Sequence, residues 1–343
     1  MDLLNNQRTN KSLQKPSTNT WIKSIVFYLI LFVLIISAIL FNREFFLDVI
    51  KSVGQIPIWL FMIICLNGCF YHIIEGDILY RLARRYQPNL KLSQGIKCAL
   101  SGAFFQVATF GSGKGISKVY YLTSVGIPVA NSIGICMVTY IVYKATVVSY
   151  GIIAFLAFPK LRTAFLPYNL IIILGIFIGI LIVGILLFVT TSKRFSTWIL
   201  YITRKLCKKY PKLLSRVDLA DEQISMLQTE ATLIFHDKKL TIQLIIECIL
   251  MQTIWYVIPY LIMQGKGLDL LTSIALTSIA YTLAGSVPLP SGYGSLDIIF
   301  TILLSCMIDT TMATSAMILF RFTTTFVPFF IGSIIVFSWK QKK

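Results

Sequence analysis

The chain has 343 residues, of which 56 % are hydrophobic and 13 % charged, and its mean hydropathy is +0.78. Soluble domains carry about 25 % charged residues, so this composition excludes an ordinary soluble domain and predicts an all-α, polytopic helical membrane protein. The net charge is +17, and basic residues between apolar runs orient spans and attract anionic headgroups. We therefore expect no direct binding of nucleic acid. The seven cysteines show no ligand spacing, so we expect no metal site, and no cofactor motif is present.

The first membrane half is predicted to cover residues 21–191. Residues 1–20 are polar and basic, which predicts a disordered cytoplasmic arm. An apolar run at 21–41 is long enough to cross a bilayer core of about 30 Å, and we expect it to be retained. A second span is predicted at 56–79, and the arginines after it place the next loop in the cytoplasm. Further full spans are predicted at 129–158 and 169–190.

Glycines break the apolar sequence between residues 95 and 127, which reads GIKCALSGAFFQVATFGSGKGISKVYYLTSVGI. Each of the two resulting helices is too short to cross about 30 Å at about 1.5 Å per residue. The pattern predicts a re-entrant hairpin that enters and leaves on the cytoplasmic side, with its turn facing a cavity. Ser112, Gly113 and Gly115 are expected to allow a tight turn and close helix approach.

Residues 192–239 form the only sizeable polar segment in the middle of the chain. Lysines and arginines alternate with aromatic and aliphatic residues in its first part. This pattern predicts a cytoplasmic, basic amphipathic helix that lies on an anionic leaflet, followed by a more acidic helix that leads back to the membrane. The segment is too short to be a separate enzyme domain.

The second membrane half is predicted at 240–339, with a span at 240–263, a glycine-broken segment near 270–309, a last span at 311–339 and a cytoplasmic tail at 340–343. Its broken segment matches the first, and a long helix with a lone cation follows each copy. Paired broken segments of this kind indicate a transport site built by internal duplication. The turn residues of the second copy are Pro290, Ser291, Gly292 and Gly294, and the two lone cations are Lys144 and Arg321.

Counting the crossings makes the second hairpin enter from the face opposite to the first. The predicted fold therefore has about six full spans plus two re-entrant helical hairpins in inverted repeats, with both termini in the cytoplasm. The alternative is that the second broken segment forms two short but complete spans, which leaves the orientation of the termini unchanged.

Ionisable residues inside apolar segments are costly and are functional candidates by default. For Arg321 we favour contact with an anionic headgroup, and an ion pair with Asp297 or Glu247 is the alternative. Near the first turn, lysines suit a phosphate, although interfacial snorkelling would also explain them. We interpret His72 and Glu75, one helical turn apart, as a packing pair rather than a proton relay. The candidate substrate-binding residues are Lys114, Lys118, Lys144, Glu247, Asp297 and Arg321.

Two patterns carry a family resemblance, GAFFQVATFGSGKGISKVYYLTSVGI in the first half and SVPLPSGYGSLDIIF followed by ILFRFTTTFVPFFIG in the second. Together they resemble the transmembrane region of lysylphosphatidylglycerol synthetases over about residues 79–338. That family moves aminoacylated phospholipid between leaflets, and a separate C-terminal domain transfers the amino acid from charged tRNA. We see no counterpart of that domain and expect a stand-alone form. TYIVYK lacks the acid that often precedes the first cation, and Asp297 replaces the commoner Glu.

The resemblance implies a flippase-like lipid translocase in a bacterial plasma membrane, acting on a phospholipid, aminoacylated phosphatidylglycerol included, or on a lipid-linked substrate. We expect no catalytic residues. The alternatives are a phosphatidylglycerol lysyltransferase or its membrane subunit, with a role in lipid metabolism and cationic-peptide resistance, and a scaffold for another enzyme. The expected partner is an anionic membrane phospholipid, with a separate lipid-modifying enzyme and a second copy of the chain as further candidates.

Overall fold

The computed structural model describes residues 56–338 apart from 209–210, 265–266, 288–291 and 293, together with 47–48, 50–51 and 54. The predicted arm, the first predicted span and the predicted tail lie outside these residues. The chain divides into two compact units, Met1–Ser52 and Val53–Lys343. The architecture given below is that of the second unit.

The first half of this unit contains six α-helices with a short 3₁₀ turn, Leu166–Tyr168, before the sixth. The helices are α1 (Ile58–Ala83), α2 (Leu92–Ala108), α3 (Gly113–Ser124), α4 (Val129–Ala157), α5 (Pro159–Ala164) and α6 (Asn169–Thr191). The broken segment forms α2 and α3, as its glycines predict.

The rest of the unit continues through two polar helices into the second half. These are α7 (Lys193–Cys207) and α8 (Pro211–His236), then α9 (Lys238–Tyr256), α10 (Ile258–Ile262), α11 (Leu270–Ser286), α12 (Ser295–Ser305), α13 (Thr310–Arg321) and α14 (Val327–Ser338). A π-helical turn, Phe322–Phe326, joins α13 to α14. The second broken segment thus forms α11 and α12.

Five continuous helical segments in the described part are long and apolar enough to cross a membrane. They are Ile58–Ala83, Val129–Ala157, Leu166–Thr191, Lys238–Ile262 and Thr310–Ser338. With the first predicted span outside the described residues, this agrees with about six full spans. The polytopic, all-helical class is confirmed.

The first hairpin, α2 and α3, packs against α1, α4 and α14. Its helices have 17 and 12 residues, which at about 1.5 Å per residue is less than a bilayer core of about 30 Å. Glycines bring the backbones together: a Cβ on Gly95 would lie 2.2 Å from the carbonyl oxygen of Gly76. On the other side of α2, a Cβ on Gly332 would lie 2.3 Å from the oxygen of Leu100. The hairpin is therefore held between α1 and α14 by backbone contact.

The second hairpin, α11 and α12, packs against α4, α6 and α13. Its helices have 17 and 11 residues, which at about 1.5 Å per residue is again shorter than a bilayer core of about 30 Å. A Cβ on Gly151 would lie 2.2 Å from Thr282 Oγ1, and the Thr282 hydroxyl donates to the carbonyl of Val147 at 3.1 Å. A small residue on α4 thus makes room for a polar contact that satisfies a hydroxyl inside the bundle.

The polar helix α8 is docked on the bundle, where it packs along α4. Glu230 is 1 % exposed, and the Tyr86 hydroxyl donates to its Oε2 at 2.6 Å. Burial and this hydrogen bond raise the pKa of Tyr86 to about 12. Gln228 donates to the carbonyl of Val189 at 2.6 Å and to Ser196 Oγ at 3.0 Å. These contacts fix the α7–α8 segment against the loop after α1 and the end of α6.

Candidate functional site at the two hairpins

A buried charge cluster lies where the first hairpin meets α1. Glu75 is 4 % exposed, and its Oε1 accepts hydrogen bonds from Lys118 Nζ and lies 3.2 Å from Lys114 Nζ. Its other oxygen, Oε2, is 2.9 Å from His72 Nδ1. Two ammonium groups from α3 therefore share one carboxylate from α1.

Packing fixes both lysines in place. Lys118 is 8 % exposed, and its stem lies over Gly102 of α2, where a Cβ would be 3.0 Å from the lysine Cε. Lys114 Nζ lies 5.6 Å from the centre of the Tyr71 ring, a distance at which the ring face attracts a cation. The Lys114 side chain is 23 % exposed, whereas the Lys118 side chain is 10 % exposed. Lys114 is thus the member of the cluster that a ligand can reach most readily.

The turn of the first hairpin differs from the predicted one. The left-handed residues are Phe110 and Gly111, with φ of 48° and 93°, whereas Gly113 and Gly115 belong to α3. The Gly113 amide donates to Thr109 Oγ1 at 2.6 Å, and a Cβ on Gly113 would lie just as close to that oxygen. Gly113 therefore permits a cap at the start of α3, and Gly111 makes the turn. Ser112, also in the turn, donates its hydroxyl to the carbonyl of Thr109 at 2.9 Å.

A second charge pair closes the other hairpin. Arg321 donates from Nε to Asp297 Oδ1 at 2.6 Å and from Nη2 to Asp297 Oδ2 at 3.0 Å. Nη2 also donates to the carbonyl of Gly292 at 3.1 Å, and Asp297 Oδ2 accepts from the Gly294 amide at 2.8 Å. Gly292 and Gly294 have φ of 65° and 80°, as their predicted turn role requires. Pro290 and Ser291 lie outside the described residues.

The ion pair of Arg321 with Asp297, considered from the sequence as the alternative to headgroup contact, is therefore formed. It joins α13 to the N-terminal turn of α12. The π-helical turn follows Arg321 directly, and threonine hydroxyls satisfy the carbonyls it displaces: Thr323 donates to Leu319 and Phe320, and Thr324 donates to Phe320. π-helical turns of this kind occur frequently at functional sites.

Lys144 and Glu247 occupy separate places. Lys144 Nζ is 5.7 Å from the centre of the Tyr140 ring and would lie 3.1 Å from a Cβ on Gly285, near the end of α11. Within the described part of the chain no ion pair to Lys144 is seen. Glu247 instead lies 3.2 Å from Arg81 Nε and is not the partner of Arg321. Arg81 also binds Asp77 at 2.8 Å, so Glu247 belongs to a third, more exposed cluster.

Aromatic rings connect the two hairpin clusters. Tyr71, which faces Lys114, stacks on Trp255 with ring centres 3.7 Å apart and planes at 16°. Trp255 contacts Tyr281 of α11 at 6.4 Å, and Tyr281 contacts Phe320 at 6.3 Å. Phe320 immediately precedes Arg321 in α13. A continuous set of ring contacts thus runs between the two sites inside the bundle.

The structure brings together Lys114 with Lys118, and Asp297 with Arg321, but leaves Lys144 and Glu247 apart from both pairs. Glu75, the residue that joins the two lysines, is not among the substrate-binding residues that the sequence predicts. Its signal was a carboxylate inside an apolar span, which marks a functional candidate by default. Among the described residues no group of three or more His, Cys, Asp or Glu side chains could hold a metal ion.

Comparison with known sequences agrees with this architecture. The family described as "Lysylphosphatidylglycerol synthase TM region" matches residues 21–332. A search of curated proteins finds no match. The family match covers both hairpins, both charge clusters and the polar α7–α8 segment, and the chain belongs to the lysylphosphatidylglycerol synthase transmembrane-region family.

Proposed function

We propose that the chain is a flippase-like lipid translocase that moves an anionic phospholipid between the leaflets of a bacterial plasma membrane. The observation that carries the proposal is the sharing of the Glu75 carboxylate by Lys114 and Lys118 at the first hairpin. The family match supports a lipid-related membrane protein, and the hairpin pair supports transport.

Charge balance favours an anionic ligand. With all three groups ionised, the cluster carries one positive charge in excess, and a buried ion without a partner costs several kcal/mol. A phosphodiester headgroup would supply the missing anion. Lys144, close to the end of α11, offers a second cation that no acidic side chain among the described residues neutralises. We place the headgroup between these cations while the acyl chains stay in the lipid.

Alternating exposure of this polar region to the two leaflets would move the headgroup across the membrane. The two short hairpins approach from opposite faces in the predicted topology, so each would close one side of the path. No nucleotide-binding motif is present in the sequence, and we expect an ion gradient, the membrane potential or mass action to drive the movement.

The test uses the full chain in liposomes that contain two fluorescent lipids with the same acyl chains but different headgroups, phosphatidylglycerol and phosphatidylcholine. A membrane-impermeant quencher added outside then reports translocation. Lys114→Met removes the excess charge but leaves the Glu75–Lys118 pair, and we expect it to slow phosphatidylglycerol translocation at least about tenfold, since one charge-assisted hydrogen bond contributes about 1.5–3 kcal/mol. Lys97→Met, an exposed lysine on α2, is the matched control and should match the unaltered protein.

Three results would contradict the proposal: no translocation above protein-free liposomes, equal rates for the two lipids, or an unchanged rate in Lys114→Met. Aminoacylated phosphatidylglycerol is tested in the same assay, because its phosphate could occupy the same site while its amino groups would face Glu75. A preference for it over phosphatidylglycerol would identify the finer substrate.

The family takes its name from a synthase, which keeps a second function under test. A phosphatidylglycerol lysyltransferase, or its membrane subunit, would transfer lysine from charged tRNA to phosphatidylglycerol in these liposomes, whereas a translocase alone would form no lysyl lipid. Translocation of a lysyl lipid would also connect the protein to cationic-peptide resistance, which a deletion strain would reveal as greater sensitivity.

A further inference from the structure

Helix α7 presents an exposed stripe of aromatic and basic side chains that the transport site does not use. Trp198 is 57 % exposed and Tyr201 65 % exposed. Arg194 lies one turn before Trp198, and lysines follow Tyr201 at helical spacing, so that all share one face. The stripe consists of Arg194, Trp198, Tyr201, Lys205 and Lys208, with Lys193 and Thr197 beside it.

The opposite face of α7 is fixed to the protein. Leu200 and Ser196 are buried, and Ser196 accepts a hydrogen bond from Gln228 of α8. Arg204 forms ion pairs with Asp218 and Asp221 of α8 at 3.0 and 2.8 Å. The exposed stripe therefore has a defined orientation.

The place of α7 in the chain sets its depth in the membrane. Only Ser192 separates the end of the apolar span α6 from the start of α7, so α7 begins where the chain leaves the bilayer core. Tryptophan and tyrosine are enriched at this level, where their rings are amphipathic. Lys193, Arg194, Thr197, Trp198 and Tyr201 line one shallow depression there.

The charge of the stripe selects the occupant. Residues 192–216 contain no Asp or Glu, and within the described part of the chain no acidic side chain pairs with Lys193 or Arg194. We propose that this depression on α7 is a second lipid site, which binds the phosphodiester headgroup of anionic phospholipids in the adjacent leaflet. The two basic side chains bind the phosphate, and Trp198 and Tyr201 pack on the glycerol and upper acyl region.

The site is distinct from the hairpin clusters and needs no translocation to be observed. It is tested with the full chain in nanodiscs of equal phosphatidylglycerol and phosphatidylcholine, each in turn carrying a photoreactive acyl chain. Mass spectrometry then measures labelling of peptides that contain Trp198. We expect labelling by phosphatidylglycerol to exceed labelling by phosphatidylcholine.

Lys193→Gln/Arg194→Gln should lower the ratio of phosphatidylglycerol labelling to phosphatidylcholine labelling at least about fivefold, because each basic residue near an anionic surface contributes about a fivefold preference for the anionic lipid. Lys160→Gln/Arg162→Gln removes the same charge from α5, at the other end of α6, and should leave the ratio unchanged. Lys205→Gln/Lys208→Gln, at the far end of the stripe, should lower it less. A ratio near one in the unaltered protein, or equal losses in all three variants, would overturn the proposal, and neither result would affect the proposed translocation.

Discussion

Replacing Glu75 by glutamine removes the charge that holds the first hairpin cluster together. The shape of the side chain is nearly kept, but the ammonium groups of Lys114 and Lys118 then remain close together without a carboxylate. Glu75 and Lys118 are 5 % and 10 % exposed at their side chains, so little solvent compensates. Breaking a buried ion pair by removing one partner costs about 3–5 kcal/mol, and we expect Glu75→Gln to lower the free energy of unfolding by that amount.

A double-mutant cycle with Lys118→Met isolates the interaction. Lys118→Met alone should cost less than Glu75→Gln, because Lys114 still lies 3.2 Å from the carboxylate. The double variant has the same net charge in the cluster as the unaltered protein. Its loss of unfolding free energy should therefore be smaller than the sum of the losses in the two single variants by about 1–3 kcal/mol.

The purified chain is unfolded in mixed micelles by an increasing concentration of a denaturing detergent, and circular dichroism measures the fraction unfolded. Glu247→Gln is the matched control, since its partner Arg81 has a side chain that is 43 % exposed, and exposed ion pairs contribute about 0–1 kcal/mol. If the losses in the cycle add within about 0.5 kcal/mol, or if Glu75→Gln costs no more than the control, the cluster is not the coupled unit described above.

Two further predictions use the same unfolding measurement. Gly95→Ala would place a Cβ 2.2 Å from the Gly76 oxygen and should lower the free energy of unfolding by about 1–3 kcal/mol. Gly115→Ala, with no atom within 4 Å of its Cβ position, should leave it unchanged or raise it by up to about 1 kcal/mol. Equal effects would contradict the close packing of α1 and α2. Asp269 caps α11 by accepting from the Thr272 amide at 2.9 Å, and hydrogen bonds from Thr272 lower its pKa. Because this pKa is lowered, the carboxylate stabilises the fold above the pKa of the unfolded state, and the stabilisation is lost as pH falls through the pKa of the folded state. Asp269→Ala should therefore lower the free energy of unfolding by about 1 kcal/mol at pH 7 and by progressively less below about pH 4. A stability difference that does not change with pH would exclude the carboxylate cap.

Two of the long apolar helices could be predicted from the sequence to within one residue at each end. The spans expected at 129–158 and 169–190 are Val129–Ala157 and Asn169–Thr191 in the structure. Length and hydropathy decide such elements, because a helix must satisfy its backbone within the segment and cover the bilayer core. The positions of both hairpins followed from glycines in short apolar runs for the same reason.

The partners of the charges could not be predicted in this way. Sequence spacing shows only neighbours within one helix, so it pairs Glu75 with His72 and indicates packing. Lys118, its closest partner, is 43 positions away and reaches it only because α2 and α3 fold back against α1. The conformation of each glycine was also hidden: Gly111 makes the first turn because α3 already begins at Gly113, while α12 begins after Gly294.

The two hairpins carry opposite charges at equivalent positions, which gives the repeat a polarity. Lys118 follows Gly113 by five residues and Asp297 follows Gly292 by five, yet Lys118 meets a carboxylate from α1 while Asp297 meets a guanidinium from α13. The second pair balances one charge against one, and an anion could bind there only by displacing Asp297 from Arg321. The first cluster already has a cation in excess. A headgroup phosphate should therefore be held at the first hairpin, and the second should act by closing and opening its own ion pair.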